Sequence, residues 1–190
     1  MTTRPDTDDY LTLFLNDTPM MDVRAPVEEL RGSFPNSVNR PLLDDEQRKL
    51  IGIRYKQKGE AEAIQLGLEL ATEDIREQRY QVWSEFCQQN PEGYLFCFRG
   101  GLRSRTTQQW LKELGVHYPL VTGGYKAMRR FLLDELEISL NTLNIINITG
   151  PTGSGKTRLL KMLQHHVDFE GLANHRGSAF GRSPTDTQPS

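Results

Sequence analysis

The side chain best placed for chemistry is Cys97, which opens the stretch CFRGGLRS at residues 97–104. Apolar residues precede it and a helical pattern follows, so we expect Cys97 at the end of a buried strand, before a glycine-rich turn. The N–H groups of such a turn can converge on an anion, and a helix N-terminus adds partial positive charge. Arg99 and Arg103 add full charges. These features favour thiolate over thiol and predict that Cys97 is a reactive nucleophile. The other cysteine, Cys87, falls within a helical pattern and is predicted to be a packing residue.

A second chemical motif occupies residues 150–157, which read GPTGSGKT. Gly150, Gly155, Lys156 and Thr157 fit the spacing of a phosphate-binding P-loop, with Gly153 as a further loop glycine. The backbone N–H groups and Lys156 of such a loop suit a diphosphate, whereas a magnesium role for Thr157 stays open. Only 33 residues follow the motif. We therefore expect the opening part of a P-loop domain without the strands and helices that usually complete its sheet.

The elements that must position these motifs alternate between strands and helices. Short apolar runs predict strands, and helical periodicity predicts helices with breaks at Gly59 and Gly67. The strands are expected at 11–15, 20–23, 94–96, 118–121 and within 140–149; the helices are expected at 26–30, 44–56, 60–89, 104–114, 124–133 and 158–166; residues 32–41 are expected to form a loop. This alternation predicts α/β structure with a parallel sheet.

Within the predicted helix at 60–89, apolar residues recur at helical spacing, and this stripe is interpreted as core. It comprises Ile64, Leu68, Ala71, Ile75, Tyr80, Trp83 and Phe86.

Composition sets the broad class. The chain has 190 residues, 36% hydrophobic and 25% charged, with a net charge of −2. No apolar run approaches a membrane span of roughly 20 residues, and the first residues lack the apolar core of a secretory signal. Two cysteines make no disulfide framework, and their spacing to histidine does not resemble a zinc site. A cytoplasmic protein without a metal is therefore expected.

The near-neutral total conceals a basic region. Residues 98–130 contain seven basic side chains and one acidic side chain, Glu113. Such a cluster attracts phosphate, either in a small molecule or in nucleic acid, although a solvated helix face has the same composition.

Several motifs together resemble rhodanese-like sulfurtransferase domains. The early segment DVRAP at residues 22–26, followed by Glu28, resembles their first signature, and Gly123-Gly124-Tyr125 resembles the start of their final helix. The Cys97 loop is longer than the common one, since five residues rather than four separate Cys97 from Arg103. That Cys-x5-Arg spacing is also the pattern of phosphatases whose loop holds a phosphate-sized anion.

The combination of this loop with the P-loop resembles one family, bacterial tRNA 2-selenouridine synthase. The stretch at 168–181 resembles that family's segment after the P-loop helix. The resemblance implies a rhodanese-like domain at 8–137 and a partial P-loop domain at 140–190, with the chain a C-terminally truncated member.

The resemblance also implies an activity. The family replaces sulfur by selenium in the wobble 2-thiouridine of tRNA, with selenophosphate as donor and S-geranyl-2-thiouridine, made from geranyl diphosphate, as intermediate. Cys97 matches the cysteine that carries selenium as a selanyl group, and Arg99 and Arg103 are the arginines of its loop. Gly150, Gly153, Gly155, Lys156 and Thr157 form the expected diphosphate site. No separate cofactor is implied, and the oligomeric state stays open.

Three other functions fit parts of the sequence. Cys97 alone could serve a sulfurtransferase that passes sulfane sulfur to a small acceptor. The Cys-x5-Arg spacing, with Ser104 after the arginine, could serve a phosphatase, although the attached P-loop argues against both. An inactive remnant could bind only anions or partners. His175 and Arg176 could contact phosphate or tRNA, or lie in solvent.

Overall fold

The computed structural model describes residues 4–151 and 153–172. The chain divides into two compact units, Met1–Leu136 and Glu137–Ser190. Its helices and strands follow one another in the order α1 (Tyr10–Leu15), β1 (Met20–Asp22), α2 (Pro26–Glu29), β2 (Ser37–Asn39), α3 (Asp45–Lys58), α4 (Glu60–Leu70), α5 (Glu73–Gln89), β3 (Tyr94–Phe96), α6 (Leu102–Glu113), α7 (Gly124–Thr142), α8 (Lys156–Leu160) and α9 (Phe169–Leu172).

The three strands form a parallel sheet in the order β2-β1-β3. Met21 at the centre of β1 pairs with Val38 of β2 and with Leu95 of β3. Leu120 extends the sheet beside β3 through a single parallel bridge to Leu95. The α/β class and the parallel sheet predicted from the sequence are confirmed.

Both faces of the central strand β1 are buried, as is typical of a parallel sheet. Side chains alternate along each strand, so Met21 and Leu95 pack into one apolar cluster while Met20 and Phe96 pack into another. Cys97 follows Phe96 and therefore lies on the Leu95 face, in the cluster of α5 and α6 residues.

Local sequence sets where the helices of the first unit begin. Pro26 occupies the first turn of α2, where its missing N–H costs nothing. Asp44 caps α3 and forms a capping box with Gln47. Gly59, with φ +86°, separates α3 from α4 in a conformation that favours glycine.

The structure corrects several sequence predictions in the first unit. Residues 11–15, predicted as a strand, lie in helix α1, where Asp9 caps the first turn. The predicted loop at 32–41 contains strand β2, which pairs with β1. Gly67 does not break a helix; the break lies at Ala71, between α4 and α5.

The core interpretation of the stripe at 60–89 is confirmed only in part. Trp83 and Phe86 are buried. Ile64 and Leu68 are 37% and 56% exposed, so the α4 part of the stripe does not lie in the core.

The second unit also differs from prediction. The strand expected within 140–149 is absent from that described stretch, where α7 runs to Thr142 and residues 144–150 form neither helix nor strand. The helix expected at 158–166 is the shorter α8, which begins at Lys156. The sheet context that normally precedes a P-loop is therefore not formed in residues 143–151.

Candidate active site

Cys97 lies directly after β3 and is 3% exposed. Its carbonyl oxygen accepts a hydrogen bond of 2.9 Å from the backbone N–H of Tyr125. The Phe98 carbonyl accepts one of 2.9 Å from the backbone N–H of Lys126. The turn after Cys97 is thereby fixed to the first turn of α7. The strand–turn–helix placement predicted for Cys97 is what the structure shows.

The backbone N–H groups of residues 98–104 share one property. Among the described residues, none of these amides donates a hydrogen bond to a backbone or side-chain acceptor; the first that does is the Arg105 N–H, which donates to the Gly101 carbonyl. The N–H groups of residues 102–104 belong to the first turn of α6, where a helix offers no acceptor, but Phe98 and Gly100 are half-buried, and amides in such places are nearly always paired. A run of unpaired amides ending at the start of the 12-residue helix α6 can bind an anion.

Two glycines let the loop and α7 approach each other closely. Gly100 has φ +62°, and a Cβ there would lie 2.7 Å from the Gly123 nitrogen. Gly124 has φ +59°, and a Cβ there would clash with the Cys97 carbonyl oxygen and lie 2.6 Å from the Gly100 nitrogen. Only glycine fits both requirements, so the two glycine pairs named in the sequence are adjacent in space.

Arg103 lies at the end of the Cys97 loop, but its guanidinium is held by Glu28. Its Nη1 and Nη2 donate to Oε2 and Oε1 of Glu28 at 2.5 and 3.2 Å. Oε2 of Glu28 also lies 3.0 Å from Nε of Arg48. Burial opposes the charge of Arg103, yet Glu28, and then Cys97 and Asp22, outweigh it and raise the pKa of Arg103. Arg103 therefore keeps its positive charge near Cys97 while Glu28 fixes its orientation.

Glu28 responds in the opposite direction. Burial favours its neutral form, but the hydrogen bonds and charge of Arg103, together with Arg48, lower its pKa. Its Oε2 also accepts from the Ala25 N–H at 3.2 Å. Glu28 is thus an ionised carboxylate that connects α2 to the Cys97 loop.

A second ion pair lies beneath the loop, fully buried. Arg24 is 1% exposed, and its Nε and Nη2 donate to the carboxylate of Asp22. Its guanidinium also lies 3.9 Å from the centroid of the Tyr125 ring, a cation–π distance. Burial raises the pKa of Asp22 although Arg24 opposes the shift. Arg24 therefore connects the DVRAP segment to the start of α7 through Tyr125, whose N–H donates to the Cys97 carbonyl.

The remaining loop side chains differ in exposure. Arg99 is exposed, with its guanidinium carbon 5.8 Å from the Phe98 ring centroid. Ser104 is fully buried, and its Oγ has no hydrogen-bond partner among the described residues. Cys87 lies in α5, and burial raises the pKa of its thiol to about 12. The interpretation of Cys87 as a packing residue is confirmed by this environment.

The predicted P-loop residues form a glycine-rich turn in the second unit. Gly153 and Gly155 have φ +81° and +83°, and Gly155 caps α8. The Nζ of Lys156 donates to the carbonyls of Gly150 and Pro151 at 2.8 and 3.0 Å. The lysine folds back over its own loop, and Thr157 is exposed in the first turn of α8.

Sequence reasoning named Cys97, Arg99 and Arg103 as site residues but assigned no role there to Glu28, Arg24 or Tyr125. Glu28 and Arg24 belong to a motif that was visible in the sequence. The pairing between Glu28 and Arg103, which are 75 residues apart, could not be predicted from the sequence. His175 and Arg176 lie outside the described residues.

Comparison with known proteins identifies the family. A family model described as the tRNA 2-selenouridine synthase AAA domain matches residues 143–190. The whole chain is 60% identical over 190 residues to the tRNA 2-selenouridine synthase of Marinobacter nauticus, and 56% identical over 181 residues to that of Alcanivorax borkumensis. The chain belongs to the tRNA 2-selenouridine synthase family. It spans about half the length of these curated relatives, 52% and 50% respectively.

A solved structure supports the fold of the first unit. It is described as "N-terminal domain of putative ATP/GTP binding protein from Clostridium difficile 630" and has a TM-score of 0.59 and 30% identity. The match covers 70% of this chain and 99% of that one. Because the second unit holds less than a third of the residues, most of the match must fall on the first unit.

Two further observations concern metal ions and membranes. Within residues 4–151 and 153–172, no group of three histidine, cysteine, aspartate or glutamate side chains is placed to hold a metal ion. No helix in the same residues is both long and apolar enough to cross a lipid bilayer.

Proposed function

We propose that this chain is the selenium-carrying part of a tRNA 2-selenouridine synthase. Its rhodanese-like first unit would load selenium onto Cys97 and deliver it to the wobble 2-thiouridine of tRNA. The observation that carries the proposal is the run of unpaired amides at 98–104 beside Cys97. This run suits an anionic donor of phosphate size, and selenophosphate is such a donor. The 60% identity to a named synthase over all 190 residues supports the same reaction class.

Arg103 has a defined part in this proposal. Because Glu28 holds both of its Nη atoms, Arg103 supplies positive charge to the loop without closing on the anion as a free clamp. The backbone amides are then the direct donors to the anion, and Arg99, which is exposed, adds charge at the rim. This division of labour favours anion capture and selenium transfer over the phosphatase alternative.

The exchange of sulfur for selenium balances without a redox change when the sulfur is first alkylated. Geranyl diphosphate transfers its geranyl group to the thiouridine sulfur and releases diphosphate. The selanyl group of Cys97 then adds at the same carbon through its selenium, and the geranyl thiolate leaves with the electron pair. A thiol finally reduces the S–Se bond that joins Cys97 to the base, and this returns the two electrons that loading of Cys97 removes. The P-loop, with Lys156 and the N–H groups around Gly153 and Gly155, is the proposed diphosphate site.

Loading Cys97 with a selanyl group does change oxidation state. Selenium in selenophosphate is at the selenide level, so forming an S–Se bond while releasing phosphate removes two electrons. A disulfide can accept them and become two thiols. The loading assay therefore contains selenophosphate together with a small disulfide.

The test is mass spectrometry of the chain after this incubation. We expect one added selenium atom, recognised by its isotope pattern, on the peptide that contains Cys97. Cys87→Ala should load as wild type does, whereas Cys97→Ser should not load. Selenium on Cys87 or on neither cysteine would overturn the proposal, while loading by thiosulfate sulfur alone would favour the simple sulfurtransferase.

The complete reaction needs a separate assay, because this chain spans only half the length of its relatives. Thiolated tRNA, geranyl diphosphate, selenophosphate and a small thiol with its disulfide are incubated with this chain or with the full-length Marinobacter nauticus relative. The tRNA is then digested and analysed for 2-selenouridine. We expect product with the full-length relative and little with the 190-residue chain, since affinity for tRNA comes mainly from extended phosphate contacts. Equal rates would show that residues 1–190 suffice.

A further inference from the structure

A groove of about 610 Å³ lies in the first unit, between α3 and α4 on one side and α5 and α6 on the other. We call it the hairpin groove. Its volume falls within the range of small-molecule sites. Leu102 and Arg103, at the end of the Cys97 loop, form part of its wall. The groove is therefore adjacent to the candidate active site and shares Arg103 with it.

The wall of the hairpin groove is mainly apolar. Ile53, Ile64, Leu68 and Leu102 are 45%, 37%, 56% and 54% exposed, and all four line it. Trp110 forms another part of the wall. Apolar side chains left exposed in one concave surface indicate a binding site for an apolar group.

The charged side chains of the wall indicate which second group the ligand carries. Five basic side chains and one carboxylate, that of Glu28, line the groove. Arg48 and Arg103 are paired with Glu28, which leaves Lys49, Lys56 and Arg79 as excess positive charge. An apolar wall with excess positive charge fits an amphiphilic anion.

Arg79 gives the strongest single indication of an anionic group. Its Nη2 donates to Oε1 of Gln47 at 2.7 Å, whereas its Nη1 is buried without a partner among the described residues. Burial lowers the pKa of Arg79 in spite of the charge of Asp44. A nearby anion would offset both the desolvation and the missing hydrogen bond.

We propose that the hairpin groove binds the apolar chain of a prenylated, anionic nucleotide and so presents the modified base to the Cys97 loop. This inference rests on the proposed function, in which a geranylated 2-thiouridine is the intermediate. The geranyl chain lies along Ile64, Leu68 and Trp110, and the nucleotide phosphate interacts with Arg79 and Lys49. The P-loop then serves the diphosphate of the alkylating step, and the hairpin groove serves the product of that step.

The test is calorimetric titration of the 190-residue chain with S-geranyl-2-thiouridine 5′-monophosphate. The comparison probe is 2-thiouridine 5′-monophosphate, which lacks the chain. Every variant also carries Lys156→Ala, which removes binding at the P-loop. We expect the geranylated probe to bind at least about tenfold more tightly than the comparison probe, because burying several methylene groups stabilises the complex.

Three substitutions locate the binding. Leu68→Asp, which places a negative charge on the apolar wall, should weaken the geranylated probe by about tenfold or more. Arg79→Gln should weaken both probes by similar factors. Leu50→Asp is the matched control, because Leu50 is 47% exposed on α3 but does not line the groove, so affinity should not change.

The outcomes separate this inference from the proposed function. Equal affinity for the two probes, or an affinity that Leu68→Asp and Arg79→Gln leave unchanged, overturns the groove assignment. Selenium loading of wild-type Cys97 is measured without any prenyl ligand, so its failure overturns the proposed function whatever the titrations give. Circular dichroism of each variant excludes unfolding as the cause of lost binding.

Discussion

Glu28 and Arg103 form a two-point contact in which both Nη atoms of the arginine donate to the two carboxylate oxygens, across 75 residues of sequence. The contact links the short helix α2 to the first turn of α6, immediately after the Cys97 loop. Arg48 adds a second cation to the same carboxylate. The orientation of the loop arginine is therefore set by a residue outside the loop.

Arg103→Ala should reduce both stability and selenium loading more than Arg105→Ala. Loss of the Arg103 side chain leaves Glu28, which is 9% exposed, with Arg48 as its one charged partner among the described residues, whereas Arg105 is exposed on the same helix. We expect a loss of about 1–3 kcal/mol in the free energy of unfolding for Arg103→Ala. Urea unfolding and the loading rate measure the two effects. Equal values for the two variants would exclude Arg103 from the site.

The same contact predicts a pH dependence. The pKa of Glu28 in the folded chain lies below its ordinary value of 4.5, so its stabilising effect is complete above pH 4.5 and is lost as pH falls through the folded pKa. Glu28→Gln should therefore be less stable than wild type at pH 7, by about 1–3 kcal/mol. The difference should shrink well below pH 4.5, where wild-type Glu28 is neutral. A difference that is constant with pH would contradict an ionised Glu28.

Gly124→Ala should disrupt the Cys97 loop. The new Cβ would clash with the Cys97 carbonyl, and φ +59° is unfavourable for alanine, so we expect a loss of about 2–4 kcal/mol. Gly101→Ala is the control, since a Cβ there meets nothing within 4 Å, and it should stay within about 1 kcal/mol of wild type. Thermal unfolding of both variants gives the comparison. A Gly124→Ala variant as stable as Gly101→Ala would mean that the loop and α7 are not in close contact.

The two cysteines should react with iodoacetamide at different rates. Burial raises the pKa of Cys87 to about 12 from 9.0, which lowers its thiolate fraction at pH 8 by about a thousandfold. Exposure does not distinguish the two, since Cys87 and Cys97 are 6% and 3% exposed. We expect the peptide containing Cys97 to be labelled first in the folded chain, with equal labelling in urea. Faster labelling of Cys87 when folded would contradict an activated Cys97.

Lys156→Ala should abolish binding of diphosphate at the P-loop without changing the unfolding of the first unit. The Nζ of Lys156 now contacts the Gly150 and Pro151 carbonyls, and a bound diphosphate must replace both contacts. The exposed, short α8 offers little apolar burial, so we expect weak affinity even in the wild-type chain. Titration with inorganic diphosphate measures it, because geranyl diphosphate is itself an amphiphilic anion of the kind that fits the hairpin groove. Micromolar binding that survives in Lys156→Ala would place the ligand elsewhere.

Sequence patterns were sufficient for the parts of the fold that local chemistry determines. The strand before Cys97 and the glycine turn after it are specified within residues 94–104, and both are present. The apolar run at 11–15 predicts a strand because it is too short to show a helical period; the signal for a helix is Asp9, which caps its first turn. Strand β2 has only three residues and depends on pairing with β1, which local sequence does not reveal.

The candidate site also combines features that local sequence determines with features that depend on distant contacts. Spacing in the sequence predicts its candidate nucleophile, Cys97, and its glycines, but its ion pairs depend on contacts between distant segments. The contact between Glu28 and Arg103 could not be inferred from either segment alone. The exposure of Leu68 was likewise invisible, because a helical stripe looks the same whether it faces a core or an open groove.

The close contact between Gly124 and the Cys97 carbonyl also bears on when the site can form during synthesis. The loop at 97–104 depends on Glu28 from the start of the chain and on Gly124 and Tyr125 from α7. Closing contacts over such separations costs chain entropy and comes late in folding. A nascent chain that has emerged only as far as α6 has its thiol and its arginines but lacks the surface that shapes the loop. The anion-binding geometry should therefore appear only after residue 125 has left the ribosome.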